Sequence, residues 1–342
     1  MDDFLKLQEV IVPEADILIN RRYNILKEVL LNEPIGRRSI SGRLELGERT
    51  VRRDLDFFKS IGLVDINPNG VYIKLPGIKT LNALRDHAYP FKGFYDKKKY
   101  LTDKTKYQEI IIVPGDIDRD PSLKKDLGLE TAIYFMSNLE KNDIIAMTGG
   151  TTIKELVDYI PNIEYKDLMI VPARGSLSKN IEIQSNSLVA NLSKKLNAQY
   201  KLLNIPENLS DETLKVLLKE KEINRVIETL KKASILILGI GRADMMGRRR
   251  GLSEDEIKDM LSEGALGEAF GSYFDLEGKI IKKTNSVGID LTDFKNIRKT
   301  IAIAGGSSKA EAILAMGPVN KHSVLITDEG AAMEMIKILK SQ

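Results

Sequence analysis

Residues Met147–Leu156 read M-T-G-G-T-T-I-K-E-L and follow the apolar run Ile144-Ile145-Ala146. Small residues where a buried strand gives way to a helix let backbone N–H groups approach an anion at the helix N-terminus, where the helix dipole favours negative charge. The hydroxyls of Thr151 and Thr152 add donors, and phosphate is the anion such a loop suits best. The same residues would also serve as a plain tight turn with a threonine cap. A second stretch, I-A-I-A-G-G-S-S-K-A-E-A-I from Ile301, repeats the pattern of apolar run, two glycines, two hydroxyls and helix. Two such loops at one sheet edge argue for an anion site, with Lys309 as a compact positive charge at its mouth.

Other residues that could act there follow apolar runs in the same way. Arg174 stands in V-P-A-R-G, Arg248, Arg249 and Arg250 stand in G-I-G-R-A-D-M-M-G-R-R-R-G, and T-D-E-G-A-A follows Ile326. The absence of cysteine excludes disulfides, thiolate metal sites and a cysteine nucleophile. With only His87 and His322 for imidazole chemistry, neither a metal nor a cofactor is expected.

These loops need a frame. From residue 109 on, Ile- and Val-rich runs at Glu109–Pro114, Asp143–Met147, Leu168–Pro172, Lys201–Ile205, Ser234–Ile240, Thr300–Ala304 and Ser323–Thr327 alternate with helical segments such as Ser122–Glu140 and Ile153–Ile160. Runs without period-two alternation, joined by helices, predict a Rossmann-like parallel sheet buried on both faces. Ligands bind such sheets outside the carboxyl ends of the strands, where the loops above lie.

The first hundred residues differ. They hold 18 Lys/Arg against 14 Asp/Glu, while the rest of the 342-residue chain holds 34 against 35. Residues 21–31 place Ile25, Val29 and Leu30 at helical spacing, and Pro34 stops that helix. A short helix over Arg37–Leu44, a turn at Gly47, a third helix over Glu48–Ser60 with Val51, Leu55 and Phe58 on one face, and a hairpin around Asn67-Pro68-Asn69-Gly70 follow in that order. This is the winged helix-turn-helix order. Arg49, Thr50, Arg52 and Arg53 in the first turns of the third helix would meet base edges and phosphates, with Arg37, Arg38 and Arg43 adding charge just before. The expected domains are a DNA-binding domain over 1–79, a linker over 80–106 in which Lys97–Lys99 and His87 are surface residues, and an α/β domain over 107–342. The acidic start M-D-D-F-L-K and the short apolar runs exclude a signal peptide and a membrane span, so a cytoplasmic location is expected.

The stretch G-E-R-T-V-R-R-D-L-D-F-F-K-S-I-G-L-V resembles the recognition helix and following strand of DeoR-type repressors. Behind it, T-G-G-T-T, V-P-A-R-G, G-I-G, L-G-E-A-F-G-S-Y-F-D, A-G-G-S-S-K-A-E-A-I and L-I-T-D-E-G-A-A, in that order and with N-E-P-I-G-R-R-S-I-S before them, resemble the SorC family of sugar-sensing transcription regulators, and within it the glycolytic-gene regulators of Gram-positive bacteria. The resemblance implies an effector domain like the phosphosugar isomerases and deaminases. It places Gly149, Gly150, Thr151, Thr152 and Lys309 on one phosphate, with Arg174, Gln184, Arg249 and Glu268 lining the rest of the site. It further implies a repressor that binds operator DNA as a homo-oligomer, a dimer or a tetramer. Arginines beyond the needs of one phosphate point to a sugar bisphosphate, fructose 1,6-bisphosphate first.

Two rival readings stand beside this one. A phosphosugar isomerase or deaminase with an added DNA-binding domain needs a positioned acid and base, and the deaminase type carries a histidine in a G-I-G-x-x-G-H-like loop. Here that place reads G-I-G-R-A-D-M-M, which leaves Asp244 as a possible base and no histidine nearby. An architectural DNA binder would leave the anion site unexplained.

Overall fold

The structure, a computed structural model, describes residues 11–12, 14–85, 94–175, 180–205, 210–284, 287–319 and 322–341. His87 and part of the expected linker lie outside them. The chain forms two compact units, one of Met1–Tyr95 with Ile133–Asn138, the other of Asp96–Ala132 with Leu139–Gln342.

The first unit begins with a helix over Glu14–Asn32 (α1), then Arg37–Leu44 (α2), Glu48–Ser60 (α3), the strands Val64–Asn67 (β1) and Gly70–Ile73 (β2), and Leu75–Leu84 (α4). α1 starts earlier than the expected residue 21, and Glu14 and Asp16 in its first turn complement the helix dipole there. Tyr23, Ile25, Leu26, Val29 and Leu30 from α1, Ile40 from α2, and Val51, Leu55 and Phe58 from α3 are buried, each contributing about 1.5–3 kcal/mol of apolar burial for residues of that size. α3 also buries Asp54, which takes Arg21 Nε at 2.7 Å and Arg22 Nε at 3.2 Å from α1. A buried carboxylate is tolerated only when paired in this way. β1 and β2 pair antiparallel from Val64↔Ile73 to Asn67↔Gly70 around Pro68 and Asn69, and Ile35 adds a bridge to Val71. α4 runs through residue 79 and seats on the wing through Gly77, where a Cβ would lie 2.4 Å from the Leu63 carbonyl oxygen.

The second unit opens with Tyr95–Lys104 (α5), of which Tyr95 belongs to the first unit by contact, and continues through Glu109–Val113 (β3), Lys124–Ser137 (α6), whose residues from Ile133 on belong to the first unit, Ile144–Met147 (β4), Thr151–Tyr159 (α7), Met169–Pro172 (β5), Ser185–Leu196 (α8), Gln199–Tyr200 (β6), Asp211–Leu217 (α9), Lys221–Leu230 (α10) and Ile235–Gly239 (β7). Then come Gly241–Arg242 (β8), Ala243–Arg249 (α11), Glu254–Ser262 (α12), Gly267–Ala269 (β9), Ser272–Phe274 (β10), Ile280–Lys283 (β11), Leu291–Asn296 (α13), Lys299–Ile303 (β12), Ala310–Met316 (α14), Ser323–Asp328 (β13) and Glu329–Ser341 (α15). Seven strands form one sheet in the order β3-β13-β12-β7-β4-β5-β6, every pair parallel. Ile145, Ile170, Ile235, Leu236, Ile237, Leu238, Ile301, Leu325 and Ile326 are buried in it, as a sheet covered on both faces requires.

Two features depart from the expected pattern. The run Lys201–Ile205 is not a strand; the edge strand is Gln199–Tyr200, paired with Met169 and Ile170. Two residues further along β5, Pro172 has no N–H to donate, so the ladder cannot continue past it. The chain leaves the sheet there, the N–H of Leu203 donates to Asn186 Oδ1 at 3.1 Å, and Leu203 and Ile205 are buried with Val226 and Val287 instead. The second departure is a separate antiparallel sheet in the order β11-β10-β9-β8, made of strands of two to four residues. Its β9–β10 hairpin turns through Phe270 (φ 39°) and Gly271 (φ 87°).

Candidate functional site

β4, β7 and β12 lie side by side at the centre of the parallel sheet, so their carboxyl-end loops meet. One cleft opens there, with β5 contributing its own loop. It is lined by all nine residues expected to hold an effector, namely Gly149, Gly150, Thr151, Thr152, Arg174, Gln184, Arg249, Glu268 and Lys309, and also by Arg250, Gly241, Met246 and Phe270.

The T-G-G-T-T loop is shaped by its two glycines for different reasons. At Gly149 a Cβ would lie 2.5 Å from the Ile183 carbonyl oxygen, so the backbone leading to Gln184 can approach only a glycine. Gly150 has open space around it but holds φ 142° and ψ 159°, a region closed to side chains. Its N–H donates to Ile183 O at 2.9 Å, which ties it to the loop rather than to an anion. The donors left for an anion are the first N–H groups of α7, at Thr151, Thr152 and Ile153, which by helix geometry have no intrahelical acceptor. The two threonine hydroxyls stand beside them.

The A-G-G-S-S loop does not repeat this arrangement, and the expectation that both loops cradle an anion is corrected. Its backbone donors already have carboxylates of the protein's own. Gly306 N donates to Asp328 Oδ2 at 2.8 Å, Ser307 N to Asp116 Oδ1 at 3.3 Å, and Ser308 N to Asp118 Oδ2 at 2.8 Å. Asp328 also takes Ile117 N and Ala331 N at 2.8 and 2.9 Å, which explains the aspartate of T-D-E-G-A-A. Burial raises the Asp328 carboxyl above the ordinary aspartate range, only partly offset by those N–H donors. From this loop only Lys309 reaches the cleft, where Nζ donates to Ile240 O at 3.2 Å. Burial, helped by the nearby Lys124 charge, lowers the Lys309 ammonium below the usual lysine range, against the pull of Asp118 and Asp328.

The arginines divide. Arg248 points away from the cleft, in ion pairs with Glu254 at 2.8 Å and Asp244 at 3.5 Å. Arg249, at the end of α11, is exposed at the cleft and makes no ion pair among the described residues. Arg250 is buried and donates to Glu268 Oε1 at 2.7 Å. Arg174, also buried, stands 3.7 Å from the same oxygen and donates to Thr284 Oγ1 at 3.4 Å. Glu268 thus stands by two of these arginines and Glu254 by a third, so not all of them are surplus. Four cations and one carboxylate still line the cleft, a formal excess of three positive charges. The sequence offered Arg248, Arg249 and Arg250 together and the family resemblance singled out Arg249, because three consecutive arginines look alike until the helix end gives them different partners.

Among the described residues, the cleft lining holds one carboxylate, Glu268, and no histidine. Asp244 does not line the cleft; Arg242 holds it at 3.0 Å and Arg248 at 3.5 Å. Although partial burial raises its pKa, the Arg242 hydrogen bond and the Met245 N–H bring it below the aspartate range. His322 precedes β13, at the amino edge of the sheet. Among the described residues no cluster of carboxylates and histidines could hold a metal, and no helix is long and apolar enough to cross a membrane.

In the first unit, Arg49, Arg52 and Arg53 are exposed on α3 and Thr50 is half-buried. Arg52 sits 3.8 Å from Asp56, a solvated pair worth little. Arg37 and Arg38, at the start of α2, share Glu48 at 3.0 and 3.6 Å, and the Arg37 hydrogen bond holds the Glu48 carboxyl below its ordinary range. These are solvated pairs as well, and one carboxylate leaves a face with more cations than it neutralises.

Comparison with known proteins adds to this geometry. Residues 18–87 match the family described as the CggR N-terminal DNA binding domain, and residues 89–337 match the Sugar-bind family of sugar-binding domains. The chain is 36% identical over 338 residues to the central glycolytic genes regulator of Bacillus subtilis, covering 98% of this chain and 99% of that one. It is 35% identical to the protein of the same name from Priestia megaterium, with the same coverage. Among solved structures, a SorC family transcriptional regulator from Enterococcus faecalis superposes with a TM-score of 0.65 at 34% identity, over 71% of this chain and all of that one. The full-length sorbitol operon regulator SorC of Klebsiella pneumoniae shares the fold at a TM-score of 0.66 and 19% identity, over 89% of this chain and 93% of that one.

Proposed function

Because the chain belongs to the SorC family of sugar-sensing transcription regulators, we propose that it represses glycolytic genes and that fructose 1,6-bisphosphate, bound in the cleft of the second unit, is the effector that controls it. A sugar-responsive transcriptional regulator with a DNA-binding and a sugar-binding domain is what the comparisons support directly. The identity of the effector, the repression and the gene set go further. They rest on the cleft and on what the relatives' names say of those relatives.

The observation that carries the reading is the charge of the cleft. An excess of three cations is more than a monophosphate of charge near −2 would balance, and it fits two phosphates on one small molecule. One phosphate sits at the N–H groups of Thr151, Thr152 and Ile153, beside the threonine hydroxyls and Lys309. The other pairs with Arg249, whose guanidinium the protein leaves facing the cleft. Gln184 and Glu268, the uncharged amide and the lone carboxylate, take hydroxyls of the sugar between them. No step of bond making is part of this function, and we expect no turnover of any sugar phosphate. A winged helix covers one half-site, so the operator is repeated or palindromic and the protein binds it as a dimer or a tetramer.

Thermal stabilisation tests the effector directly, since it grows as RT ln(1 + [L]/Kd). Fructose 1,6-bisphosphate should bind at least about tenfold tighter than fructose 6-phosphate, the value of one charge-assisted hydrogen bond of about 1.5 kcal/mol. Arg249→Ala should remove most of that preference, while Thr152→Ala should weaken both ligands alike. Equal affinity of the unmutated protein for the two sugars would defeat the reading.

A further inference from the structure

A carboxylate buried in a cleft of cations that awaits an anion is at first sight misplaced. Glu268 lies in β9 with 3% of its surface exposed, and it repels the phosphates its neighbours attract. Its surroundings are asymmetric. Oε1 takes the Gly271 N–H at 2.6 Å and the Arg250 guanidinium at 2.7 Å, with Arg174 at 3.7 Å. Oε2 accepts no hydrogen bond among the described residues, and it lies on the side of Gly241, which lines the cleft. The hairpin is built to keep this so. Phe270 and Gly271 both hold positive φ, and a Cβ on Gly271 would lie 2.6 Å from Arg174 Nη1.

We infer that Arg250 is a positioning residue for effector selectivity: by clamping Oε1 it holds Oε2 toward the cleft, where it accepts a hydroxyl of the bound sugar. The inference rests on the phosphosugar reading above and deepens it. The cations supply affinity for any small bisphosphate, whereas a fixed carboxylate oxygen rewards only a ligand that brings a hydroxyl to it and penalises one that leaves it facing phosphate or nothing. Arg250, not Arg249, then decides which bisphosphate is sensed. A lysine in its place would keep the charge but lose the planar fork that fixes the carboxylate.

The test compares fructose 1,6-bisphosphate with 1,6-hexanediol bisphosphate, which carries the same two phosphates on a six-carbon chain without hydroxyls, by calorimetric titration of the full chain. The unmutated protein should prefer the sugar by about 10- to 100-fold, as a hydrogen bond to a charged acceptor implies. In Arg250→Met both ligands should bind more weakly and the preference should fall severalfold, toward the share that Gln184 supplies, with Arg250→Lys between the two. Glu268→Gln provides a second variant should Arg250→Met fail to fold, and it too should lose most of the preference. A preference kept intact in Arg250→Met, or in Glu268→Gln, overturns the inference while leaving the effector reading standing. An unmutated protein that binds neither bisphosphate refutes that reading and the inference with it.

Discussion

Lys309 offers the sharpest test of the cleft, because its environment makes opposite demands on the free and the bound protein. In the free protein the ammonium has a backbone carbonyl, Ile240 O at 3.2 Å, as its hydrogen-bond acceptor, and burial lowers its pKa below the usual lysine range. A phosphate beside it would raise that pKa again. The sign of the linkage follows. Below the free-state pKa both forms carry the proton and affinity is at its maximum. As pH rises from the free-state value toward the bound-state value, binding must take up a proton and affinity falls by up to about tenfold per pH unit. On the acid side affinity falls below about pH 6, where the phosphates gain their second proton. Calorimetric titration of fructose 1,6-bisphosphate across this range should therefore show a plateau whose alkaline limb begins below the ordinary lysine pKa. Lys309→Met should bind about 10- to 150-fold more weakly, for the loss of one charge-assisted hydrogen bond of roughly 1.5–3 kcal/mol, and should lack the alkaline limb. Stability should move the other way. A lysine whose folded pKa is lowered binds fewer protons when folded, so at neutral pH its charge works against folding, and without ligand Lys309→Met should melt higher than the unmutated protein. An alkaline limb unchanged in Lys309→Met would refute the assignment of this lysine to the phosphate.

Three further outcomes are expected. Arg52→Ala on the exposed face of α3 should weaken operator binding by about 1–3 kcal/mol if it reads a base, and affinity should fall with log salt at about −0.9 per neutralised phosphate; unchanged binding in Arg49, Arg52 and Arg53 single variants, measured by fluorescence anisotropy, would remove α3 from the DNA interface. Gly150→Ala meets nothing within 4 Å yet must hold φ 142°, so it should cost about 1–3 kcal/mol in chemical denaturation through backbone strain alone; a cost near zero would mean that the loop relaxes freely. Operator DNA should change effector affinity by the same factor as effector changes operator affinity, and effector affinity unaltered by operator would rule out control by release.

The frame of the second unit was legible because a parallel sheet buried on both faces leaves an unambiguous trace. β3, β4, β7, β12 and β13 are Ile-, Val- or Leu-rich runs, and each lies where such a run was found, to within about a residue. The exception at Lys201–Ile205 is instructive. Leu203 and Ile205 are buried as the pattern demands, but a strand also needs donors opposite it, and the residue that withholds one, Pro172, lies almost thirty positions away. The short antiparallel strands were invisible for a related reason. G-E-A and S-Y-F are too brief for any period to show, and what holds them is the turn at Phe270–Gly271 together with Glu268, whose partners Arg174 and Arg250 come from distant segments.

The site was legible as a set of residues and less so as an arrangement. Strand-end position brought the T-G-G-T-T loop, Arg174, the arginine cluster and Lys309 to one edge, and the family resemblance added Gln184 and Glu268. Two loops of nearly the same letters then differ in their backbone donors. In one the first N–H groups of the helix have no intrahelical acceptor, and in the other three aspartates fill the donors. The difference lies in Asp116, Asp118 and Asp328, which reach the A-G-G-S-S loop from beyond the ends of β3 and β13, the two strands on one side of β12. β4 borders β5 instead, and β5 sends Arg174 into the cleft. A glycine-rich loop therefore marks a place where an anion can sit, and the strand next to it decides whether the protein supplies that anion or leaves it to the cell.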